Sequence, residues 1–267
     1  PQGPPLGRAD HQLGAAVHLR RAPFDQAGLR QFVDEQHDLV GAAELERVAG
    51  NGEVAAARQG GAELWTRARL TGAARSGAKW DLRLEDGRAV TATVLINAAG
   101  AWADPVASLA GVRPLGINPY RRTVAQLRLA AGPPADLPLV LGIDGLFYFK
   151  PEAGRLWLSP HDETPTPPCD AAPEELDVAL AIDRFEHVVD WPITRIEHRW
   201  AGLRSFAPDR LPVYGFDPVV AGFFWFAGQG GFGIQTAPAA ADLACALLLG
   251  QAGGAVDPQP YDPKRFY

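Results

Sequence analysis

The chain has 267 residues, 47% of them hydrophobic and 21% charged, with a formal net charge of −6. This composition is typical of a globular protein of one large domain or two interleaved ones, and the acidic balance argues against general nucleic-acid binding. No apolar run reaches the length of a transmembrane helix, and no signal peptide is visible. Cys169 and Cys245 form no metal or disulfide pattern, so we expect a reducing, cytoplasmic setting.

The first 55 residues carry weak structural signals. The chain has no Met and begins Pro-Gln-Gly-Pro-Pro, which indicates a fragment or the loss of a natural start. Residues 1–22 are predicted to be irregular because they are rich in Pro, Gly and Arg. Short helices are expected after a capping Asp25, over residues 42–48 and over residues 54–58.

Residues 62–96 are predicted to form a sheet. A partly alternating strand over 62–70 is followed by a hairpin that turns at Asp86-Gly87. The return strand, over 89–96, ends in a fully apolar run. That run indicates burial on both faces, as in a parallel or mixed central sheet.

Small residues follow this strand, where Ala98, Ala99 and Gly100 precede Trp102. They permit close approach of a ligand or of another backbone, and the residues alone favour neither reading. Asp104-Pro105 is predicted to open a short helix, with Asp as the N-cap and Pro at the first position. Because ligands in open α/β sheets bind beyond the carboxyl ends of strands, this strand end is a candidate site.

Residues 113–200 are predicted to be an antiparallel meander that leads into a helix. Its strands are expected over residues 123–129, 139–143, 146–150 and 155–159. A helix is expected over 173–189, and a further strand over 195–204.

A glycine turn between a buried strand and a buried helix organises the last part of the chain. The strand over 223–227 leads into Gly228-Gln-Gly-Gly-Phe-Gly233, and an Ala/Leu-rich helix ends at Gly250. The turn satisfies G-x-G-x-x-G, but the strand and acidic residue that complete a Rossmann unit do not follow. Three interpretations of the turn stay open: a packing turn, a phosphate site or a site for another ligand. The rest of the chain favours the third.

Three segments resemble the FAD-dependent D-amino-acid oxidase and dehydrogenase superfamily. They are VLINAAGAWAD (94–104), WAGLRSF (200–206) and GQGGFGIQT (228–236). The likeness extends through Arg121-Arg122 and FYFKPEAG (147–154), and within the superfamily it is greatest to bacterial D-arginine dehydrogenase. It covers roughly residues 55–250 in one order, which is far more specific than any single motif.

The resemblance implies an α/β, or mixed α+β, fold. A flavin-binding sheet with helices would be interleaved with an antiparallel-sheet substrate domain. The implied division is an N-terminal remnant 1–55, FAD-binding parts 56–112 and 196–250, a substrate domain 113–195 and a tail 251–267.

The resemblance also implies FAD as the cofactor and a small amino acid or amine as the substrate. The family reaction moves a hydride from the α-carbon of a D-amino acid to the flavin, and the imine hydrolyses to a 2-oxo acid and ammonia. The final electron acceptor, oxygen or a quinone, stays open.

Three residues are implied to be catalytic: Arg122, Tyr148 and Arg204. The arginines match a carboxylate clamp, for which a planar guanidinium is suited, and Tyr148 matches a tyrosine that hydrogen-bonds the substrate. Gly202 and Gln235 complete the implied substrate site. The alternatives are an exposed strand charge for Arg122, a structural ion pair for Arg204 and a half-buried strand aromatic for Tyr148.

The implied cofactor contacts come from the two strand ends, the glycine turn and Gly202. They are Ala98, Ala99, Gly100, Trp102, Gly202, Gly228, Gly230, Gly231, Phe232, Gly233, Ile234 and Gln235. Backbone N–H groups of the turn would stabilise negative charge at the N1/C2 carbonyl edge of the reduced flavin. Trp102 is expected mainly to pack in the core, and Gln235 has helix capping or exposure as its alternative.

The segment His161-Asp162-Glu163 has metal-ligating residue types, but no fourth ligand stands at a useful spacing. We therefore predict a solvated loop and no metal site. His187 and His198 are expected to be packing or surface residues.

Members of the superfamily begin with a βαβ unit that holds the ADP half of FAD, and no such unit precedes residue 55. Three alternatives to D-amino-acid oxidation therefore stay open. The first two are a glycine- or sarcosine-type amine oxidase and a 2-hydroxy acid dehydrogenase. The third is a truncated, non-catalytic copy or a subunit that needs a partner to bind FAD.

Overall fold

The computed structural model describes residues 57–134, 136–251 and 254–267, together with the backbone of one earlier strand. The helices predicted after Asp25 and over 42–48 lie outside the described residues, as does most of the one predicted over 54–58. That earlier strand, β1 (Ala16–Leu19), replaces the irregular structure predicted there and pairs antiparallel with β2 (Ala62–Trp65).

A small antiparallel sheet comes next, formed by β3 (Leu70–Ser76), β4 (Lys79–Leu84) and β5 (Ala89–Ala92). The single strand predicted over 62–70 is wrong, because Arg67 adopts φ 53 and separates β2 from β3.

The strand predicted over 89–96 is also wrong, because the chain forms two strands there that belong to different sheets. β5 alternates between exposed and half-buried residues beside β4, whereas β6 (Leu95–Asn97) lies next to a buried strand of the core. A single straight strand cannot pair in the exposed small sheet and also in the central sheet, which is buried on both faces.

The central sheet has the order β13 (Val213–Phe216), β14 (Phe223–Ala227), β6. β14 runs antiparallel to β13 and parallel to β6, which confirms the predicted mixed sheet. β13 has no predicted counterpart. Every residue of β14 is buried, because α1 (Ala103–Leu109) and α3 (Gly233–Leu249) pack on opposite faces of this sheet.

Asp104 does not have the capping role predicted for it. α1 begins at Ala103, and the carboxylate of Asp104 accepts hydrogen bonds from the backbone N–H groups of Leu115, Gly116 and Ile117 at 3.1, 2.8 and 3.0 Å. Burial raises the pKa of Asp104, and the three hydrogen bonds oppose that rise. The carboxylate therefore ties α1 to the chain that enters the large sheet.

The large antiparallel sheet is built on β7 (Asn118–Leu129). One edge of β7 pairs with β12 (Ile193–Phe206) over almost its full length. The other edge pairs with β10 (Arg155–Ser159) and β11 (Thr164–Pro165), and β9 (Tyr148–Glu152) and β8 (Val140–Leu141) follow β10. The predicted meander is confirmed in outline, although β8 is only two residues long, and β11 has no predicted counterpart.

One face of this sheet is covered by α2 (Glu175–Glu186), which buries Val178, Ala181 and Phe185 against β7, β9 and β10. The predicted boundary between residues 195 and 196 falls within β12. The proposed division into substrate and flavin parts stays a prediction.

Two further features concern the described ranges as a whole. No helix in them is both long enough and apolar enough to cross a membrane. Neither Cys169 nor Cys245 forms a disulfide, and Cys245 is buried in α3 as its apolar surroundings in the sequence predict.

Candidate functional site

Two of the predicted cofactor segments lie at the same edge of the central sheet. β6 and β14 are parallel neighbours, so the residues that follow them, Ala98–Gly100 and Gly228–Gly233, leave the sheet side by side. The N–H of Gly230 donates to the carbonyl of Ser205 at 2.8 Å, and a 3-10 helix, Gly100–Trp102, packs against β12. The end of β12 therefore joins the two segments.

The glycines of the turn have different physical roles. A Cβ on Gly230 would stand 2.4 Å from the ring of Phe206, and its φ is +59, so this glycine permits packing. A Cβ on Gly231 or on Gly100 would have no atom within 4 Å. Packing therefore explains Gly230, whereas it does not explain Gly231 or Gly100.

The start of α3 presents unpaired groups next to this open space. No side chain caps the helix, so its first N–H groups have no partner within it. Phe232 is 61% and Ile234 69% exposed, and Gln235 is exposed beside them. In addition, Nε2 of Gln229 is buried without a hydrogen-bond partner. Exposed apolar side chains beside hydrogen-bond donors suit the binding of a flat ring with a polar edge.

Four predicted substrate residues share one face of the large sheet. Arg122 of β7 stands opposite Gly202 of β12, and Arg204 stands opposite Tyr120. Strand alternation and the register through β10 place Tyr148 on the same face, opposite the face covered by α2. Gly202 leaves space beside Arg122, and Arg204 lies diagonally from it at a typical Cα spacing of roughly 7–8 Å.

Arg122 is buried, with 7% of its surface exposed, so the alternative of an exposed strand charge is wrong. Its Nε donates to the carbonyl of Asp162 at 2.8 Å, and Nη2 lies 3.3 Å from Oε1 of Glu163. Arg121 points to the opposite face, where it pairs with Glu174 at 2.7 Å and Asp177 at 2.8 Å. The Nε of Arg121 also lies 3.8 Å from the carboxylate of Asp162, so the two adjacent arginines face opposite sides of β7 while both lie beside Asp162.

The prediction of a solvated loop at His161-Asp162-Glu163 is only partly correct, because Glu163 is exposed whereas His161 and Asp162 are half-buried. The side chain of Asp162 is only 8% exposed, and its carboxylate accepts hydrogen bonds from the N–H of Thr123 at 2.7 Å and from its hydroxyl at 2.9 Å. These contacts fasten the segment to β7. The segment therefore forms one wall of the site.

His161 connects this wall to Tyr148. Their rings meet edge to face with centroids 5.5 Å apart, and Nδ1 of His161 lies 2.6 Å from the carbonyl of Gly145. Because a carbonyl can only accept, Nδ1 carries the proton, and Nε2 is the acceptor of the neutral ring. Tyr148 itself is half-buried on β9.

Arg210 is a charged residue of the site that sequence reasoning missed. Its Nη2 donates to both carboxylate oxygens of Glu163, at 2.8 and 3.0 Å, and its guanidinium lies 3.9 Å from the centre of the Phe206 ring. The sequence signals were only a charged triplet at 161–163 and an arginine ahead of β13. Neither reveals that the two loops meet.

An aromatic group extends along the same sheet face, away from the glycine turn. Trp200 lies one alternation step from Gly202 and meets Trp157 edge to face at 5.1 Å, and His198 stacks on Trp200 at 5.4 Å. The indole nitrogen of Trp157 is buried without a hydrogen-bond partner. The prediction that His198 is a packing or surface residue is consistent with this stacking.

Trp102 lies at the junction of the 3-10 helix and α1, where it is half-buried. It stands two residues after Gly100. Both its predicted packing role and a place at the rim of the site are compatible with this position.

A glycine turn at the carboxyl ends of parallel strands, next to an arginine-bearing antiparallel sheet, is an arrangement that a flavoprotein oxidoreductase can use, and comparison with known proteins identifies that class. Residues 48–247 match the family described as DAO, FAD dependent oxidoreductase. The chain belongs to this family. Its cofactor is accordingly FAD.

Two relatives illustrate the range of the family. The mouse FAD-dependent oxidoreductase domain-containing protein 1 is 28% identical over 202 residues, which is 67% of this chain and 40% of that protein. A glycine oxidase from Pseudomonas aeruginosa is 30% identical over 176 residues, covering 63% of this chain and 45% of the oxidase. The chain thus spans less than half the length of these relatives.

Solved structures agree with the fold. The glycine oxidase of Geobacillus kaustophilus matches 79% of this chain and 55% of its own, with a TM-score of 0.66 and 25% identity. The L-proline dehydrogenase of P. horikoshii matches 82% of this chain and 59% of its own, with a TM-score of 0.69 and 22% identity. The second likeness concerns the fold alone.

The described residues fit the flavin part of FAD. The open positions at Gly100 and Gly231 admit a ring that a side chain would block. Gln229 offers a buried donor that lacks a partner, and the start of α3 offers backbone donors.

Proposed function

We propose that this chain contributes the flavin-facing and substrate-facing surfaces of an enzyme that oxidises the Cα–N bond of a D-amino acid. The products would be an imine and, after hydrolysis, a 2-oxo acid and ammonia. One observation carries the proposal: Arg122, Tyr148, Gly202 and Arg204 share a sheet face that ends at the glycine turn. The likeness to D-arginine dehydrogenase supports the choice of the D-isomer.

In this proposal Arg122 and Arg204 bind the substrate carboxylate. Arg122 is suited to this because its Nε is fixed by the carbonyl of Asp162 and its burial strengthens charge-assisted hydrogen bonds. Gly202 keeps the neighbouring position free of a side chain. A clamp of this kind orients the α-carbon without taking part in bond breaking.

Tyr148 would hydrogen-bond the bound substrate through its hydroxyl, with its ring held by His161. Trp200 and Trp157 would form the wall that the substrate side chain contacts, since they follow the clamp along the same face. Such a wall favours an apolar or flat side chain.

FAD would be held by Ala98–Gly100, Gly231, Phe232, Ile234 and the start of α3. Gln235 and Trp102 would lie at the rim of its site. When bound, FAD supplies the acceptor for the two electrons and the hydride. The other residues of the site bind and orient the amino acid and exclude water from it. We propose oxygen or a quinone as the final electron acceptor and the cytoplasm as the setting.

A second candidate is the oxidation of glycine or of a secondary amine such as sarcosine. The similarity to two glycine oxidases favours it. A 2-hydroxy acid is the remaining substrate candidate. Because the chain spans about 40% of the length of its mouse relative, a non-catalytic copy or a subunit that needs a partner for FAD is the remaining structural candidate.

The test is anaerobic reduction of the flavin in the FAD-loaded chain by D-amino acids, L-amino acids, glycine, sarcosine and 2-hydroxy acids. We expect D-amino acids to bleach the flavin fastest. Glycine or a hydroxy acid acting faster would select the corresponding alternative. No bleaching by any of them would favour the non-catalytic reading.

The substitution Arg122→Lys tests the clamp, because lysine keeps the charge and loses the fork. We expect KM to rise about 10- to 100-fold, from the loss of roughly 1.5–3 kcal/mol of charge-assisted hydrogen bonding. Arg121→Lys is the matched control, since Arg121 is adjacent in sequence and points to the other face. Equal effects of the two substitutions would contradict the clamp.

A further inference from the structure

The two arginines that contact Glu163 differ in their exposure to solvent. Glu163 lies between Arg122, whose side chain is 9% exposed, and Arg210, whose side chain is 52% exposed. It holds Arg210 at 2.8 and 3.0 Å and Arg122 at 3.3 Å. Its carboxylate therefore stands at the mouth of the site, with the stronger of its two pairs on the solvent side.

The backbone around this pair is unusual as well. Among the described residues, four that are not glycine have positive φ, and two of these are His161 at 56 and Arg210 at 64. One lies two positions before Glu163, and the other is its partner. Left-handed backbone is uncommon for a residue with a side chain, and such conformations cluster at functional sites. Both loops are thus held in strained conformations where they meet.

We propose that Glu163 is a specificity-determining residue that restricts the site to acids with a single carboxylate. This inference rests on the proposed function, in which Arg122 binds the substrate carboxylate. The carboxylate of a monocarboxylate ligand would take the place of Glu163 beside Arg122. Glu163 would keep its ion pair with Arg210. A second carboxylate on the ligand would meet the charge of Glu163 and would find Arg210 already paired.

The test compares acetate with malonate, which differ by one carboxylate. Binding to the 267-residue chain with FAD is measured by calorimetry and by the change in the flavin spectrum. For Glu163→Gln we expect the preference for malonate over acetate to rise about tenfold or more, because a repulsive charge is removed and Arg210 is released. Acetate affinity is expected to change by less than about threefold.

Glu174→Gln is the matched control, because Glu174 pairs with Arg121 on the opposite face of the same sheet. It is expected to leave both affinities unchanged. A second variant, Arg210→Gln, should change the affinity for acetate, which Glu163→Gln leaves nearly unchanged. Without Arg210, Glu163 has only Arg122 as a partner, so acetate should bind more weakly, and the double variant with Glu163→Gln should restore it.

The outcomes separate the inference from the proposed function. If Glu163→Gln weakens acetate and malonate equally, Glu163 only supports Arg122 and the inference is wrong. If the malonate preference does not move and Arg122→Lys still abolishes acetate binding, the inference is wrong while the clamp stands. If acetate binding is absent or is insensitive to Arg122→Lys, the clamp is wrong and the inference falls with it.

Discussion

Gly230 and Gly231 are adjacent glycines that the structure requires for different reasons. The first combines φ +59 with the ring of Phe206 where a Cβ would stand, and the second combines an ordinary φ with empty space. Only the first is explained by packing. The second has no packing explanation, and its assignment to a ligand that approaches the backbone closely is part of our proposal.

This difference predicts that two alanine substitutions affect different properties, stability for Gly230 and flavin binding for Gly231. Gly230→Ala should lower the free energy of unfolding by about 2–4 kcal/mol, from left-handed backbone and overpacking against Phe206. Gly231→Ala should change it by less than about 0.5 kcal/mol while weakening flavin binding. Urea denaturation and flavin titration of both variants measure the two effects. A stable Gly231→Ala chain with unchanged flavin affinity would contradict the assignment of this position to the cofactor.

At the scale of elements, Glu197 joins three strands of the large sheet. It lies in β12, is 13% exposed, and contacts Arg155 of β10, Arg128 of β7 and Arg195 of its own strand. The hydrogen bond from Arg155, supported by those from Arg195 and Arg128, lowers the pKa of Glu197 to about 2. The far end of the sheet is therefore held by charge as well as by backbone pairing.

The lowered pKa of Glu197 gives its contribution to stability a definite pH dependence. A carboxylate with a depressed folded-state pKa stabilises the fold fully above its ordinary value of 4.5, and that contribution is lost as the pH falls toward 2. We therefore expect Glu197→Gln to be less stable than the parent chain at about pH 7 and nearly as stable at about pH 2. Thermal unfolding of both chains across this range measures the gap. A gap that stays constant with pH would contradict the ionic role.

At the scale of the molecule, three buried clusters correspond to the three packing layers. One lies between the small sheet, α1 and β14, one between the other face of β14 and α3, and one between the large sheet and α2. The face of the large sheet opposite α2 and the glycine turn meet where β12 ends. The candidate site thus lies where the parts of the chain meet, which is a common place for ligand sites.

This arrangement limits what the described residues can recognise in FAD. All the residues assigned to the cofactor surround the glycine turn and the end of β6, where they fit the flavin ring. We therefore expect the 267-residue chain to bind FAD and riboflavin with dissociation constants within about threefold, or roughly 0.7 kcal/mol. Fluorescence titration with both ligands measures the ratio. FAD binding about a hundredfold tighter than riboflavin would mean that the chain also holds the ADP half.

The sequence by itself determined the parts of this protein that depend on local pattern. Phe223–Ala227 is an apolar run bounded by glycines, so its burial on both faces followed from composition and length. The glycine turn, α3 and its left-handed cap at Gly250 also followed from residue type. The opposite orientations of the adjacent Arg121 and Arg122 also follow from residue order alone, because a strand alternates its faces.

Only the tertiary structure decided the features that depend on distant contacts. The division of residues 89–96 between two sheets and the role of Asp104 depend on partners elsewhere in the chain. Glu163 and Arg210 are 47 positions apart, and where they meet His161 and Arg210 adopt positive φ angles that are uncommon for residues other than glycine. Local pattern does not encode such angles, since the surrounding contacts offset their cost only after folding.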